Sequence, residues 1–156
     1  MEPEIFRLKL LAPLFYERET APEPFAGPEE PGDDSAIEKL YCFELEEALC
    51  AEFEPDRRKF LCALVFGGRT AGRGQDEPIE RPFPLGTFPK ETTLPAGDYL
   101  FAQKREVLSR DRIIDMAVEI HQEGLWQRLK LGKLLYLRYL YEDNSWVTQL
   151  YRPYSE

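Results

Sequence analysis

The chain has 156 residues and a formal net charge of −9; 43% of its residues are hydrophobic and 31% are charged. This length and composition suit one globular domain, so we predict a single domain over 1–156 that needs neither disulfides nor metals for its core. No apolar stretch approaches the length of a membrane span, and we predict a cytoplasmic protein without a membrane partner.

The negative charge is concentrated in one segment. Residues 17–54 hold thirteen acidic residues against two basic ones. Such a surface repels phosphate backbones, so we predict no direct nucleic-acid binding. It suits a basic protein partner, although a solvated acidic surface explains the same charge more simply.

The N-terminal segment predicts a strand, a loop and a helix. Alternation over Phe6–Leu10 favours a strand with one face toward a core, and Pro13 indicates an edge position or a bulge. Residues 20–34 hold four prolines and two glycines and predict a loop. A Ser-x-x-Glu capping box and helical spacing of apolar residues predict a helix over Ile37–Cys50. A strand over Leu40–Leu45 fits the same residues, and the sequence leaves both open.

The middle of the chain predicts a strand and a second loop. Lys59–Phe66 is a nearly continuous apolar run and predicts a buried strand. Residues 67–90 hold five glycines and four prolines and predict an irregular segment. The three cysteines, Cys42, Cys50 and Cys62, have no Cys-x-x-Cys spacing. We interpret them as buried or half-buried apolar residues in a reducing compartment.

The C-terminal third begins with a strand and a helix. A Pro-Ala-Gly-Asp turn leads into a strand over Leu100–Lys104. Ser109 or Asp111 suits the N-cap of a helix over Arg110–Glu123, and Gly124 suits its C-terminal stop.

A hairpin completes the chain. Lys133–Tyr141 and Trp146–Tyr151 are predicted strands, and the residues between them, Asp143-Asn144-Ser145, are typical of a tight turn. Strands and helices in this order indicate an α+β fold in which two helices accompany an antiparallel sheet.

The segment Pro95-Ala96-Gly97-Asp98-Tyr99, followed by this helix and hairpin, resembles the second repeat of the GyrI-like, or AraC-effector-binding, superfamily. The resemblance covers residues 88–154. It implies two pseudo-two-fold β-α-β-β repeats, of which the first is degenerate here. It also implies a stand-alone small-molecule-binding module without the DNA-binding domain of the transcription-factor relatives.

The sequence departs from the family pattern at one functional position. In many members the penultimate strand carries a glutamate that faces a central groove and binds cationic ligands. The matching residue here is Leu137. Leu137 therefore disfavours cation binding and the carboxylate-dependent hydrolysis attributed to some relatives.

The candidate site is aromatic. If the last strands line a groove, alternation places Leu137 and Tyr139 on one face of their strand, while Tyr99 and Phe101 share a face of theirs and Trp146 flanks the hairpin. Aromatic walls suit flat or hydrophobic ligands, although the same rings also suit a plain core. We predict these five residues as ligand-binding walls and predict no catalytic residue.

The remaining chemistry is sparse. His121 has no ligand at metal-binding spacing, and its place near a helix end predicts a solvent-edge side chain. We predict no metal and no other cofactor. The favoured function is binding of a small hydrophobic or aromatic ligand. The alternatives are an acidic protein-interaction or inhibitor module and a small hydrolase, which Leu137 disfavours.

Overall fold

The computed structural model describes residues 4–20, 22–25, 38–69, 92–142 and 144–155. Nine strands and one α-helix lie within them, together with short 3-10 helices at Glu47–Ala51 and Arg57–Lys59. The strands are β1 (Phe6–Leu10), β2 (Leu14–Arg18), β3 (Glu38–Glu44), β4 (Leu64–Arg69), β5 (Thr92–Leu94), β6 (Gly97–Lys104), β7 (Lys130–Leu131), β8 (Leu134–Glu142) and β9 (Ser145–Ser155), and the helix α1 spans Arg110–Trp126.

The strands form one antiparallel sheet. Its order is β1-β6-β9-β8-β3-β4-β2-β5, and β7 pairs with β9. Strands account for 48% of the described residues, and the sheet curls into a half-barrel. No helix in the described part of the chain is long and apolar enough to cross a membrane.

The predicted fold class, an α+β fold with two helices in paired β-α-β-β repeats, is wrong. The structure has one α-helix among the described residues, and sheet dominates the fold. The helix expected over Ile37–Cys50 is replaced by β3 and a 3-10 helix. β3 lies between β4 and β8 and is buried on both faces, so successive residues are apolar and no two-residue alternation marks it as a strand. The first residues of the expected capping box, 35–37, lie outside the described residues.

The C-terminal unit follows the predicted order of strand, helix and hairpin. Ser109 Oγ accepts from the Arg112 amide and caps α1 at the expected place. The predicted stop at Gly124 is wrong, because α1 continues to Trp126. An added Cβ at Gly124 would lie 2.5 Å from Leu131 Cδ2, so glycine serves close packing at this position.

Of the two other predicted strands, one has the predicted bounds and the other begins later than predicted. β1 matches the predicted strand Phe6–Leu10 and lies at an edge of the sheet. The strand predicted over Lys59–Phe66 begins only at Leu64, because a 3-10 helix ends at Lys59 and a turn follows it. Residues 70–91, most of the second predicted loop, lie outside the described residues.

The sheet has two buried faces. One face packs on α1 and is called the helix face; its sheet residues include Tyr41, Phe43, Leu100, Ala102, Leu135, Leu137, Tyr139 and Leu150. The opposite face is called the inner face; its buried residues are Tyr16, Leu40, Cys42, Leu94, Tyr99, Tyr136 and Tyr151. Tyr16 of β2 reaches Glu38 across the intervening β4, so the sheet curls toward the inner face.

Candidate functional site

Strand register aligns one residue from each of six neighbouring strands on the inner face. Residues paired directly across an antiparallel sheet point to the same side, so their side chains form a continuous line. This aromatic row runs Phe6, Phe101, Tyr151, Tyr136, Cys42, Phe66.

The rings of the aromatic row contact each other and Tyr99. The Phe101 and Tyr151 centroids lie 5.0 Å apart, and Tyr99 meets Tyr151 edge to face at 5.6 Å. Tyr136 and Tyr151 are each only 3% exposed. Phe101 is half-buried, whereas the neighbouring Phe6 is 49% exposed. The row is therefore closed at its centre and open to solvent at the β1–β6 end.

A second line of residues on the inner face, the polar row, is displaced from the aromatic row by two residues along the strands. It consists of Gln103, Gln149 and Arg138, paired across β6, β9 and β8. Gln149 Nε2 donates to Gln103 Oε1 at 2.9 Å, and Arg138 Nη1 donates to Gln149 Oε1 at 3.3 Å. Arg138 Nη1 also reaches the Tyr151 hydroxyl at 3.1 Å, which links the two rows.

The polar row ends in a buried ion pair. Arg138 donates to Glu38 Oε1 from Nε at 2.9 Å and also from Nη2. Tyr16 donates to the same oxygen at 2.9 Å. The Arg138 and Glu38 side chains are 14% and 7% exposed. The pair therefore contributes hydrogen-bonding groups to the inner face without adding net charge.

The phenols and the thiol on the inner face are uncharged at neutral pH. Burial raises the pKa of Tyr99 to about 12, with smaller contributions from Tyr151 and Cys42. Burial likewise raises the pKa of Tyr16, Tyr136 and Tyr151. It also raises the pKa of the Cys42 thiol to about 12. These groups serve as neutral donors and apolar surface.

The arrangement suits binding better than proton transfer. A general base needs a free lone pair within reach of the reacting proton. Glu38 Oε1 already accepts from Tyr16 and from two nitrogens of Arg138. These contacts engage that oxygen, so it is not free to take a proton from a ligand.

The structure divides the predicted wall residues between the two faces. Tyr99 and Phe101 lie on the inner face with the aromatic row. Leu137, Tyr139 and Trp146 lie on the helix face, in the core beneath α1. The Tyr139 hydroxyl donates there to the Pro24 carbonyl at 2.8 Å. The five residues therefore do not line one common groove.

Sequence reasoning missed the residues that accompany Tyr99 and Phe101. Alternation along β8 indicates that Tyr136 and Arg138 share a face, and the same holds for Gln149 and Tyr151 on β9. The register of β6, β9 and β8 decides which of these faces lies on the same side of the sheet as Tyr99. Alternation within one strand gives no information about that register. Glu38 was not predicted as a site residue because it was assigned to a helix.

The structure also shows where the histidine, the three cysteines and part of the acidic segment lie. His121 is fully buried, so the predicted solvent-edge position is wrong. Cys42 is buried and Cys50 half-buried, as interpreted, whereas Cys62 is exposed. In the acidic segment, Glu44 pairs with Lys133 at 3.1 Å and Glu46 with Lys59 at 3.1 Å. Part of its charge is therefore neutralised within the chain.

Comparison with known proteins adds no family. The chain matches no protein-family model and no curated protein. Within the described part of the chain, no group of three or more His, Cys, Asp or Glu side chains is placed to hold a metal ion.

Proposed function

We propose that this protein is a binding module for a small, flat, uncharged molecule that carries a hydrogen-bond acceptor. The observation that supports this proposal is the aromatic row beside the polar row on the curled inner face. The rings supply apolar contact area and the polar row supplies orientation, which is the usual composition of a ligand site.

The open end of the aromatic row is where the ligand would lie. Phe6 and Phe101 pair across β1 and β6, and both expose part of their rings. Gln103 follows Phe101 on the same face of β6 and is exposed. Its Oε1 accepts from Gln149, while its side-chain amide nitrogen donates to none of the described residues. That nitrogen can donate to a ligand oxygen that lies beside the ring of Phe101.

The charge balance of the site selects an uncharged ligand. Arg138 and Glu38 neutralise each other, and the surrounding phenols keep their protons. A charged ligand would lose hydration on the apolar row without gaining an unpaired counter-charge there.

2-Naphthol is a suitable probe, because it is flat, neutral at pH 7 and carries one oxygen. A ligand of this size should bind with a dissociation constant on the order of 0.1 to 1 mM, at roughly 0.4 kcal/mol per non-hydrogen atom. Amide shifts of the ¹⁵N-labelled protein report binding in this range. The shifts should concentrate on β6 and β9, near Phe101 and Tyr151. Naphthalene-2-sulfonate, which adds a negative charge to the same rings, should bind no more tightly.

A matched pair of variants tests the location. Phe101→Ala should weaken 2-naphthol binding about fivefold, since one aromatic contact is worth about 1 kcal/mol. Phe53→Ala removes a more exposed ring, 50% accessible and outside the sheet, and should leave binding unchanged. Equal affinities of the two variants, or shifts confined to α1, would exclude the inner face as the site.

A further inference from the structure

The polar row on the inner face is a series of hydrogen bonds that runs in one direction. Arg138 Nη1 donates to Gln149 Oε1 at 3.3 Å, and Gln149 Nε2 donates to Gln103 Oε1 at 2.9 Å. Gln149 is only 7% exposed, whereas Gln103 is an exposed residue. The series therefore begins at a shielded guanidinium and ends at an amide that a ligand can reach.

Arg138 fixes the direction of this series. A guanidinium has donors and no acceptor, so the atom of Gln149 that faces it is the oxygen. The Tyr151 hydroxyl can donate or accept. It accepts from Arg138 Nη1 at 3.1 Å, so its single proton is left for Gln149 Oε1 at 2.9 Å. Without a donor-only group beside them, this hydroxyl and both amides can reverse together.

Glu38 holds Arg138 in place. Its Oε1 accepts from Arg138 Nε at 2.9 Å and from Nη2, while Nη1 is the nitrogen directed along the polar row. The Arg138 and Glu38 side chains are 14% and 7% exposed, so water competes little for these bonds. Reversal of Gln149 alone would set its amide nitrogen against that of Arg138, donor against donor.

We propose that Arg138 is a positioning residue that sets ligand specificity, so that the inner face prefers flat, uncharged molecules whose polar atom only accepts hydrogen bonds, such as an aryl ketone or a ring nitrogen. This inference rests on the proposed function. Since Gln103 Oε1 faces Gln149, the Gln103 side chain offers Nε2, which donates to none of the described residues. A ligand acceptor beside Phe101 meets this donor, whereas a ligand with only a donor sets N–H against N–H.

Quinoline and indole are a matched pair of probes for this preference. Both are flat two-ring molecules that are uncharged at pH 7, but the nitrogen of quinoline only accepts and that of indole only donates. Amide shifts of the ¹⁵N-labelled protein on β6 and β9 give both affinities. Quinoline should bind about fivefold more tightly than indole, since one net hydrogen bond separates the two complexes.

The same titrations distinguish this inference from the proposed function. Equal affinities of quinoline and indole on β6 and β9 would overturn the inference and leave the proposed binding site standing. Failure of both probes and of 2-naphthol to shift these strands would overturn the two together.

A pair of double variants tests whether Arg138 sets the preference. Glu38→Gln with Arg138→Met removes the donor-only group and its carboxylate, so the two probes should then bind within about twofold of each other. Glu44→Gln with Lys133→Met removes an ion pair that is 46% and 57% exposed, and the preference should remain. A preference that survives in the folded first variant would overturn the inference, even if both affinities fall, because a merely structural role changes both probes alike.

Gln103→Glu tests the outer end of the series without touching the buried pair. The carboxylate has the shape of the amide but no donor, so one oxygen accepts from Gln149 and the other faces the ligand. Indole should then bind about threefold or more tighter than quinoline. Gln103 is exposed, so this variant keeps the core intact and decides the question if the buried double variant does not fold. An unchanged preference for quinoline would overturn the inference.

Discussion

The ion pair between Glu38 and Arg138 gives the largest effect that we expect from a single substitution on the inner face. Glu38→Gln keeps the size of the side chain but leaves the Arg138 guanidinium without its carboxylate. Removing one partner of a buried pair costs about 3 to 5 kcal/mol. The Arg138 side chain is 14% exposed and keeps Gln149 and Tyr151 as partners. We therefore expect the lower end, about 3 kcal/mol of unfolding free energy.

The same substitution at Glu44 is the control. Glu44 lies on the same strand and pairs with Lys133 at 3.1 Å, but these side chains are 46% and 57% exposed. Surface pairs contribute about 0 to 1 kcal/mol, so Glu44→Gln should shift stability by less than about 1 kcal/mol. Urea unfolding followed by circular dichroism gives both free energies under one set of conditions.

A double variant tests whether the cost of Glu38→Gln arises from the pair itself. Glu38→Gln combined with Arg138→Met removes both charges, so no uncompensated ion stays buried. Its cost should be smaller than the sum of the two single costs by about 2 kcal/mol. Additive costs, or equal effects of Glu38→Gln and Glu44→Gln, would show that burial does not strengthen this pair.

Two further substitutions test the packing of α1. Gly124→Ala should lower the unfolding free energy by about 1 kcal/mol, because the new Cβ would meet Leu131 and Leu100 methyl groups at 2.5 and 2.9 Å. The cost of this overpacking exceeds the gain in helix propensity. A variant that is more stable in urea would contradict this prediction. His121 has a folded-state pKa below its ordinary value of 6.5, so the unfolded chain takes up the proton first as the pH falls. The free energy of unfolding should therefore reach its full value above pH 6.5 and decrease as the pH falls below it. His121→Gln should remove this part of the dependence of the unfolding free energy on pH, measured by urea unfolding at several pH values. An unchanged pH dependence in that variant would contradict the prediction.

β1 and α1 could be predicted from the sequence because each has one apolar face and one polar face. β1 alternates between apolar and charged residues, and α1 follows a cap at Ser109 with a wide apolar stripe. β3 could not be predicted in the same way. It pairs with strands on both edges and is buried on both faces, so its apolar run fits a helix as well as a strand.

The candidate site was harder to predict because it depends on long-range register. Tyr99 and Phe101 were predicted to share one face of β6, and both lie on the inner face. Leu137 was placed with them, but it points to α1, and its neighbours Tyr136 and Arg138 point to the inner face. Successive residues of β8 point to opposite faces of the sheet. An error of one position therefore selects the residues of the helix face in place of those of the inner face.

Intermolecular contacts between a bound probe and the protein would show whether a ligand lies on the inner face. An isotope-filtered nuclear Overhauser spectrum of the ¹³C-labelled protein with saturating 2-naphthol shows which side chains lie within about 5 Å of the probe. Contacts from the naphthol protons to the rings of Phe101 and Phe6 are the predicted result. Contacts only to Trp126 or Phe53, which are exposed rings outside the sheet in the described part of the chain, would contradict the proposed site.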